Sequence, residues 1–407
     1  MKWLKNNKPT SLIEIVKGSM RITTDDTVSF RPNFDILIDV LADKIEHSYD
    51  FDQNVFYDLF KEAVIAQFKK DQLKNEKNLL PSFKYLCDKH SINEHKYILL
   101  TSINLSPKYK LSSRLINGQK VSFYSCIPKK YIKERVRLFE KFKEEYELTE
   151  RGDYQYCTVS VTAPDPVTAF SKALESLDII RSLMQVGFER NRNILAFDKE
   201  GEYPTQSIIT LGKFHSLHLH SGKAAIDSIW YENTHNARKP TTIRSFSTTQ
   251  SYLHEQITRL KKTEFKEHVS EALVAYIEAL DKEDASVRFL KLWSVLEQLV
   301  HSDDTKAIIQ RVSFFYESTE ENKSVLESLR RARNIHVHKG SMPRNIKIKN
   351  FLLCEYIELL INFFLRNPFR HTDLNSAIDF ISTSTDVDKI DKQIKKLQDV
   401  RTFIGAN

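Results

Sequence analysis

The chain has 407 residues, 61 Lys and Arg against 54 Asp and Glu, and a formal net charge of +7. Hydrophobic residues at 41% and charged residues at 28% describe a globular protein rather than a disordered one, and the length suggests two or three domains of roughly 150 residues each. Its 9 glycines fall far below the usual ~7%, which argues against glycine-rich phosphate loops, a dinucleotide-binding fold and a TIM barrel.

Along the chain, the start Met1–Pro9 lacks the apolar stretch of a secretory signal. Residues 11–20 and 21–30 alternate apolar and polar side chains and predict a hairpin around Lys17-Gly18. Phe56, Leu59, Phe60, Ala63 and Phe68 predict a helix over 54–74, and strands are expected at 96–104 and 119–127. A helix over 129–147 should turn Ile132, Val136, Phe139 and Phe142 to the core. A strand at 154–162 then runs through Asp165-Pro166, a cap and first-turn proline, into a helix over 167–185. More strand is expected at 207–220.

From Asn236 the chain becomes polar and hydroxyl-rich, marking a linker at 241–251. Beyond it, helices are predicted over 265–280, 284–300, 306–317, 321–338 and 346–366, with an amphipathic charged tail at 387–400. The fold class is therefore α+β: a mixed α/β region over 1–240, with a break near 150, then an all-α bundle over 252–407. The apolar stretch Phe351–Leu365 carries Glu355, Glu358 and Asn362 on one narrow stripe, as a helix buried in a core or an interface does; no membrane contact is expected. Cys87, Cys126, Cys157 and Cys354 lie far apart, without a C-x-x-C zinc pattern or a disulfide scaffold, which suits a reducing cytoplasm.

The most informative string is Arg330-Arg331-Ala332-Arg333-Asn334-Ile335-His336-Val337-His338-Lys339-Gly340. At 100° per residue, Leu326, Leu329, Arg333 and Val337 share one face, so Arg333 interrupts an apolar stripe. Asn334 and His338 are i,i+4 neighbours beside Arg331, and Gly340 is a natural helix stop. Upstream, the wet face of the 284–300 helix runs through Arg288, Lys291, Ser294 and Gln298, whereas Glu297 points between Leu290 and Trp293. A carboxylate on that inner side needs a cation, and Arg333 is its natural partner. The plain alternative is a structural ion pair with His338 at a helix end.

Arg333-Asn334-x-x-x-His338, closing a helix that follows the Trp293-x-x-x-Glu297 helix, resembles the HEPN superfamily and within it the Apea-like domains of bacterial defence proteins. The resemblance covers 265–366. It implies an all-α domain that dimerises so that two motifs face each other, often as a metal-independent endoribonuclease. Arg333 and His338 match the motif ends, Asn334 its polar second position, and Glu297 an acidic residue of the second helix. Some members are inactive binding modules, so an RNA-, nucleotide- or protein-binding role is the alternative. The resemblance thus points to a toxin or abortive-infection effector whose N-terminal region answers a phage-derived or cellular trigger.

The chemistry is consistent with that. RNA carries its own nucleophile, the 2′-hydroxyl, so cleavage needs a base, an acid and cations for the phosphorane but no bound cofactor or metal. His338 can move the proton and Arg333 can bind phosphoryl oxygens. Asn334 can orient substrate or imidazole, while Arg330, Arg331 and Lys339 grip flanking phosphates. One motif histidine per chain cannot readily serve as both acid and base, so a homodimer through the helical domain is expected. His218 and His220, two apart on a strand, offer metal-ligand spacing as a secondary hypothesis. The basic run Lys129–Arg137 is diluted by Glu134 and the glutamates that follow it, and reads as a solvated helix face.

Overall fold

The structure is a computed structural model that describes residues 1–4, 9–25, 27–73, 76–189, 205–235 and 237–405. Lys74, at the end of one expected helix, and Asn236, at the start of the polar stretch, lie outside these residues. The chain is an α+β protein with an antiparallel sheet and a helical C-terminal region.

The first segment carries β1 (Lys2–Trp3), α1 (Pro9–Gly18), β2 (Met20–Ile22), β3 (Val28–Phe30), α2 (Phe34–Ala42), β4 (Ile45–Glu46), α3 (Gln53–Lys69) and α4 (Glu76–Ile92). The hairpin expected around Lys17-Gly18 is replaced by a helix, and the real hairpin is β2–β3. Leu12, Ile13, Ile15 and Val16 fit either period, and Pro9 at the first helical position favours the helix, which buries Ile13 and Val16. This segment has its own core, built on Ile13, Phe34, Ile38, Phe60 and Phe83.

The sheet follows with β5 (His95–Ile103), β6 (Arg114–Ile116), β7 (Gln119–Tyr124), α5 (Lys129–Phe142), β8 (Gln155–Ala163), α6 (Pro166–Glu189), β9 (Phe214–Leu219) and β10 (Trp230–Tyr231). Its order is β10-β9-β5-β8-β7-β6, and every neighbouring pair is antiparallel. Positive φ at Asn117 and Gly118 supplies the tight turn joining β6 to β7. β5 is buried from Tyr97 to Ile103, because α6 covers one face of the sheet and α5 the other. The strand expected over 207–220 is shorter, at Phe214–Leu219.

α5 buries Tyr131, Arg135 and Leu138; of the expected inner face, Phe139 and Phe142 pack against the core around Phe214, whereas Ile132 and Val136 are turned outward, 41% and 49% exposed. The reason is Arg135. Its guanidinium donates to the Leu100 and Phe214 carbonyls and to Ser216 Oγ, pairs with Glu150, and lies over the Phe214 ring at 4.1 Å. Those partners offset the cost of burying a cation.

The helical region comprises α7 (Phe246–Lys262), α8 (Lys266–Leu280), α9 (Ala285–Leu299), α10 (Thr305–Ser313), α11 (Thr319–Lys339), α12 (Ile346–Arg366), α13 (Leu374–Ile381) and α14 (Val387–Phe403). Residues 241–251 are ordered against the sheet. Thr241 N–H donates to the Asn104 carbonyl, Ile243 N–H to Tyr109 Oη, and α7 begins at Phe246. One core runs from Leu99 and Val159 through Leu177 of α6 to Leu273, Trp293, Leu326 and Ile381, so the sheet and the bundle share it. α12 packs on α9 and α8, and buried Glu358 accepts from Tyr276 Oη at 2.7 Å. The nearly all-round apolar character of α12 is therefore satisfied within the chain and gives no reason for pairing with a second copy. Among the described residues no helix is long and apolar enough to cross a membrane.

Candidate functional site

α11 starts with acidic Glu320 and Glu321 in its first turn and ends at Gly340. The φ of 63° at Gly340 and its N–H bond to the His336 carbonyl at 2.9 Å form the left-handed cap expected there. Leu326, Leu329 and Ala332 anchor the helix in the core. Its last two turns leave that core, so Ile335 and Val337 are 40% and 51% exposed. Val337 therefore does not share the buried face with Leu326 and Leu329.

The junction with the core holds the predicted pair. Arg333 Nη2 lies 3.9 Å from Glu297 Oε1, with the two side chains 37% and 23% exposed. Glu297 has a tighter partner in the Trp293 indole, whose Nε1 donates to Oε1 at 2.6 Å. Arg333 Nη1 in turn donates to Asn334 Oδ1 at 3.3 Å. The chain Trp293–Glu297–Arg333–Asn334 thus fixes the inner end of the motif. Glu297 is half-buried rather than interior, so its ion pair is a tether at the surface and not a desolvated lock.

On the expected wet face of α9, Lys291 and Ser294 are exposed, but Arg288 is buried at 4%. Arg288 donates to the Lys282 and Glu283 carbonyls and to Thr205 Oγ1, and so ties down the turn before α9. Arg330, Arg331, His338 and Lys339 are exposed. Among the described residues none of these four makes an ion pair or side-chain hydrogen bond within the chain. The arrangement offers three free cationic side chains and an accessible imidazole around a braced guanidinium and amide. Such a set can bind phosphates and move a proton.

The sheet histidines are not joined as metal ligands. His218 is fully buried, with Nε2 at 2.9 Å from Ser216 Oγ and its ring 5.1 Å from that of Tyr131. Burial, and then the charge of Arg135, lowers its pKa to about 4. His220 lies beyond the strand end and is exposed. Among the described residues no group of three or more His, Cys, Asp or Glu is placed to hold a metal.

Sequence reasoning missed a second charged constellation. Arg181 of α6 is 1% exposed; it donates to Asp178 Oδ1 at 2.5 Å, to both Asp281 oxygens at 2.8 and 2.7 Å, and to the Ile209 carbonyl. Burial pushes the Asp178 carboxyl up to about 7, against the pull of Arg181, whose charge is shared with Asp281. The i,i+3 spacing of Asp178 and Arg181 was visible in the sequence, but Asp281, on the far side of the α8 end, was not. Above them opens a small, open polar cleft lined by Ser207, Thr210, Glu232, His235, Arg238 and Asp281, among others.

No family model, curated protein or solved structure matches the chain.

Proposed function

We propose that this chain is a metal-independent endoribonuclease of the HEPN type, acting as a homodimer in a cytoplasmic toxin or anti-phage role. The observation that carries the reading is the exposed end of α11. There Arg333 and Asn334 are braced by Glu297 while His338, Arg330, Arg331 and Lys339 stand free. Arg333 binds the phosphoryl oxygens, His338 of one copy takes the 2′-hydroxyl proton while His338 of the other protonates the 5′-oxygen, and Asn334 orients the substrate or the imidazole. Arg330, Arg331 and Lys339 hold neighbouring phosphates without reading bases. The single motif histidine calls for a second copy, and exposed Ile335, Val337 and Met342 beside the motif provide apolar surface for it. The N-terminal segment, with a core of its own, is the part suited to receive a trigger.

The same exposed apolar residues also favour a second reading, a non-catalytic module that binds RNA or a partner through this surface. Expression of wild type and His338→Ala in cells separates the two. The nuclease reading predicts growth arrest and degraded total RNA with wild type only. Equal growth and intact RNA with both, under triggered and untriggered conditions, supports the binding module.

A further inference from the structure

We infer that the segment from β1 to α4 is a hinged module, held closed on the first two turns of α6 by a polar latch of Asp50, Asp52 and His90. The apolar cores divide at this boundary. The module's core and the side chains packed on it end at Cys87, whereas the cores of the sheet and the bundle begin at Tyr97. Among the described residues no buried apolar cluster spans the two parts. The chain passes between them through Asn93 and Glu94, both exposed, between the end of α4 and the start of β5. A joint of two wet residues lets the module turn.

What holds it closed is polar. Asp165 caps α6 by accepting from the Thr168 N–H at 2.8 Å, and its other oxygen lies 3.0 Å from His90 Nε2. Thr168 Oγ1 donates to Asp165 and accepts from the Asp52 N–H at 3.1 Å. One turn on, Ser171 Oγ donates to the Asp52 carboxylate and Lys172 Nζ to that of Asp50 at 2.6 Å. Positions 165, 168, 171 and 172 share one face of the helix, about 10 Å long at ~1.5 Å rise per residue. A shared apolar core would bind the two parts together, since parting them would wet it. Polar contacts at a surface exchange for water at little net cost.

The latch is graded along its length. His90 lies beside the joint, and its partner Asp165 is 13% exposed. At the far end Asp50 is 87% exposed. Opening therefore starts at Asp50 and Lys172, where water already reaches the acid. The movement gives the trigger-receiving segment of the ribonuclease reading a means of responding. It is followed by amide exchange and not by cleavage, so either inference can fail without the other.

The test uses the full-length chain and hydrogen exchange. The Asp52 amide reports the closed state, because its acceptor is Thr168 Oγ1 across the joint. Phe60 and Val64 of α3 and Val159 of β8 report the core of each part. Lys172→Glu sets like charge against Asp50 without loss of helix propensity. It should speed exchange at Asp52 by about threefold or more and leave Phe60, Val64 and Val159 unchanged. Asp50→Cys with Lys172→Cys, on a background where the exposed Cys126 is replaced by Ser, should also exchange faster at Asp52. A short bis-maleimide joining the two thiols should then return that amide to wild-type protection. Unchanged exchange at Asp52 in Lys172→Glu, or exchange as fast in the linked pair as in the unlinked one, would overturn the latch. A rise shared equally by Asp52, Phe60 and Val159 would overturn the hinge, because the two parts would then open as one cooperative unit.

Discussion

Arg181 and Arg333 both face carboxylates, and they are held in opposite ways. Arg181, at the joint of sheet and bundle, is wholly enclosed and donates to two carboxylates and a carbonyl. Arg333, at the end of α11, is over a third exposed and touches its carboxylate only at 3.9 Å. The first arrangement fixes a framework: each guanidinium nitrogen is committed, and removal of the cation strands two acids. The second leaves donors available to a ligand, with just enough tethering to set direction. Each is a charge at an apolar helix position, read in the sequence for Arg333 and missed for Arg181, and burial separates them.

Arg181→Met should break the comparison most visibly. It leaves Asp178 and Asp281 without their cation and should cost about 3–5 kcal/mol of stability, read by urea denaturation. A loss no larger than that of Arg333→Met would show that the enclosed pair is not the stronger. Next comes the buried histidine of the sheet. The folded-state pKa of His218, about 4, lies below the ~6.5 of an unfolded chain, so the neutral ring stabilises the fold above pH 6.5. That contribution, about 3 kcal/mol in full, is lost as pH falls from 6.5 through 4. His218→Gln should flatten this acid limb; an unchanged pH slope of the denaturation midpoint between pH 4 and 7 would remove His218 as its source.

Smaller effects belong to the α11 end. Glu297→Gln should cost about 1 kcal/mol, not the several expected of an interior acid, because water reaches both partners. It should nevertheless impair cleavage more than Gln298→Ala, by loosening Arg333; equal effects on activity and Tm would take Glu297 out of the site. His338→Ala should move stability by less than about 0.5 kcal/mol while abolishing cleavage.

Much of the helical half was legible because long amphipathic runs announce themselves. The bounds of α12 coincide with the expected 346–366, and Gly340 marked the end of α11. Trp293-x-x-x-Glu297 also carried its bond in plain sight, since i,i+4 residues are neighbours on a helix. What failed was facing and partnership. α5 turned by one position because a buried Arg135 outbid two apolar side chains by supplying donors to the sheet. Val337 looked internal by its angle, but the helix had already run past the core. Whether α12 is buried in a core or at an interface stayed open in the sequence, because α9 and α8, which cover it, are placed by the fold and not by local pattern.

The most direct test of the proposed composite site is cleavage of RNA by wild type mixed with excess His338→Ala chains, in EDTA. If acid and base come from two copies, mixed dimers are inactive. Activity then falls faster than the wild-type share, and the products carry 2′,3′-cyclic phosphates. Activity proportional to the wild-type share, or activity lost in EDTA and restored by a divalent ion, would contradict the account.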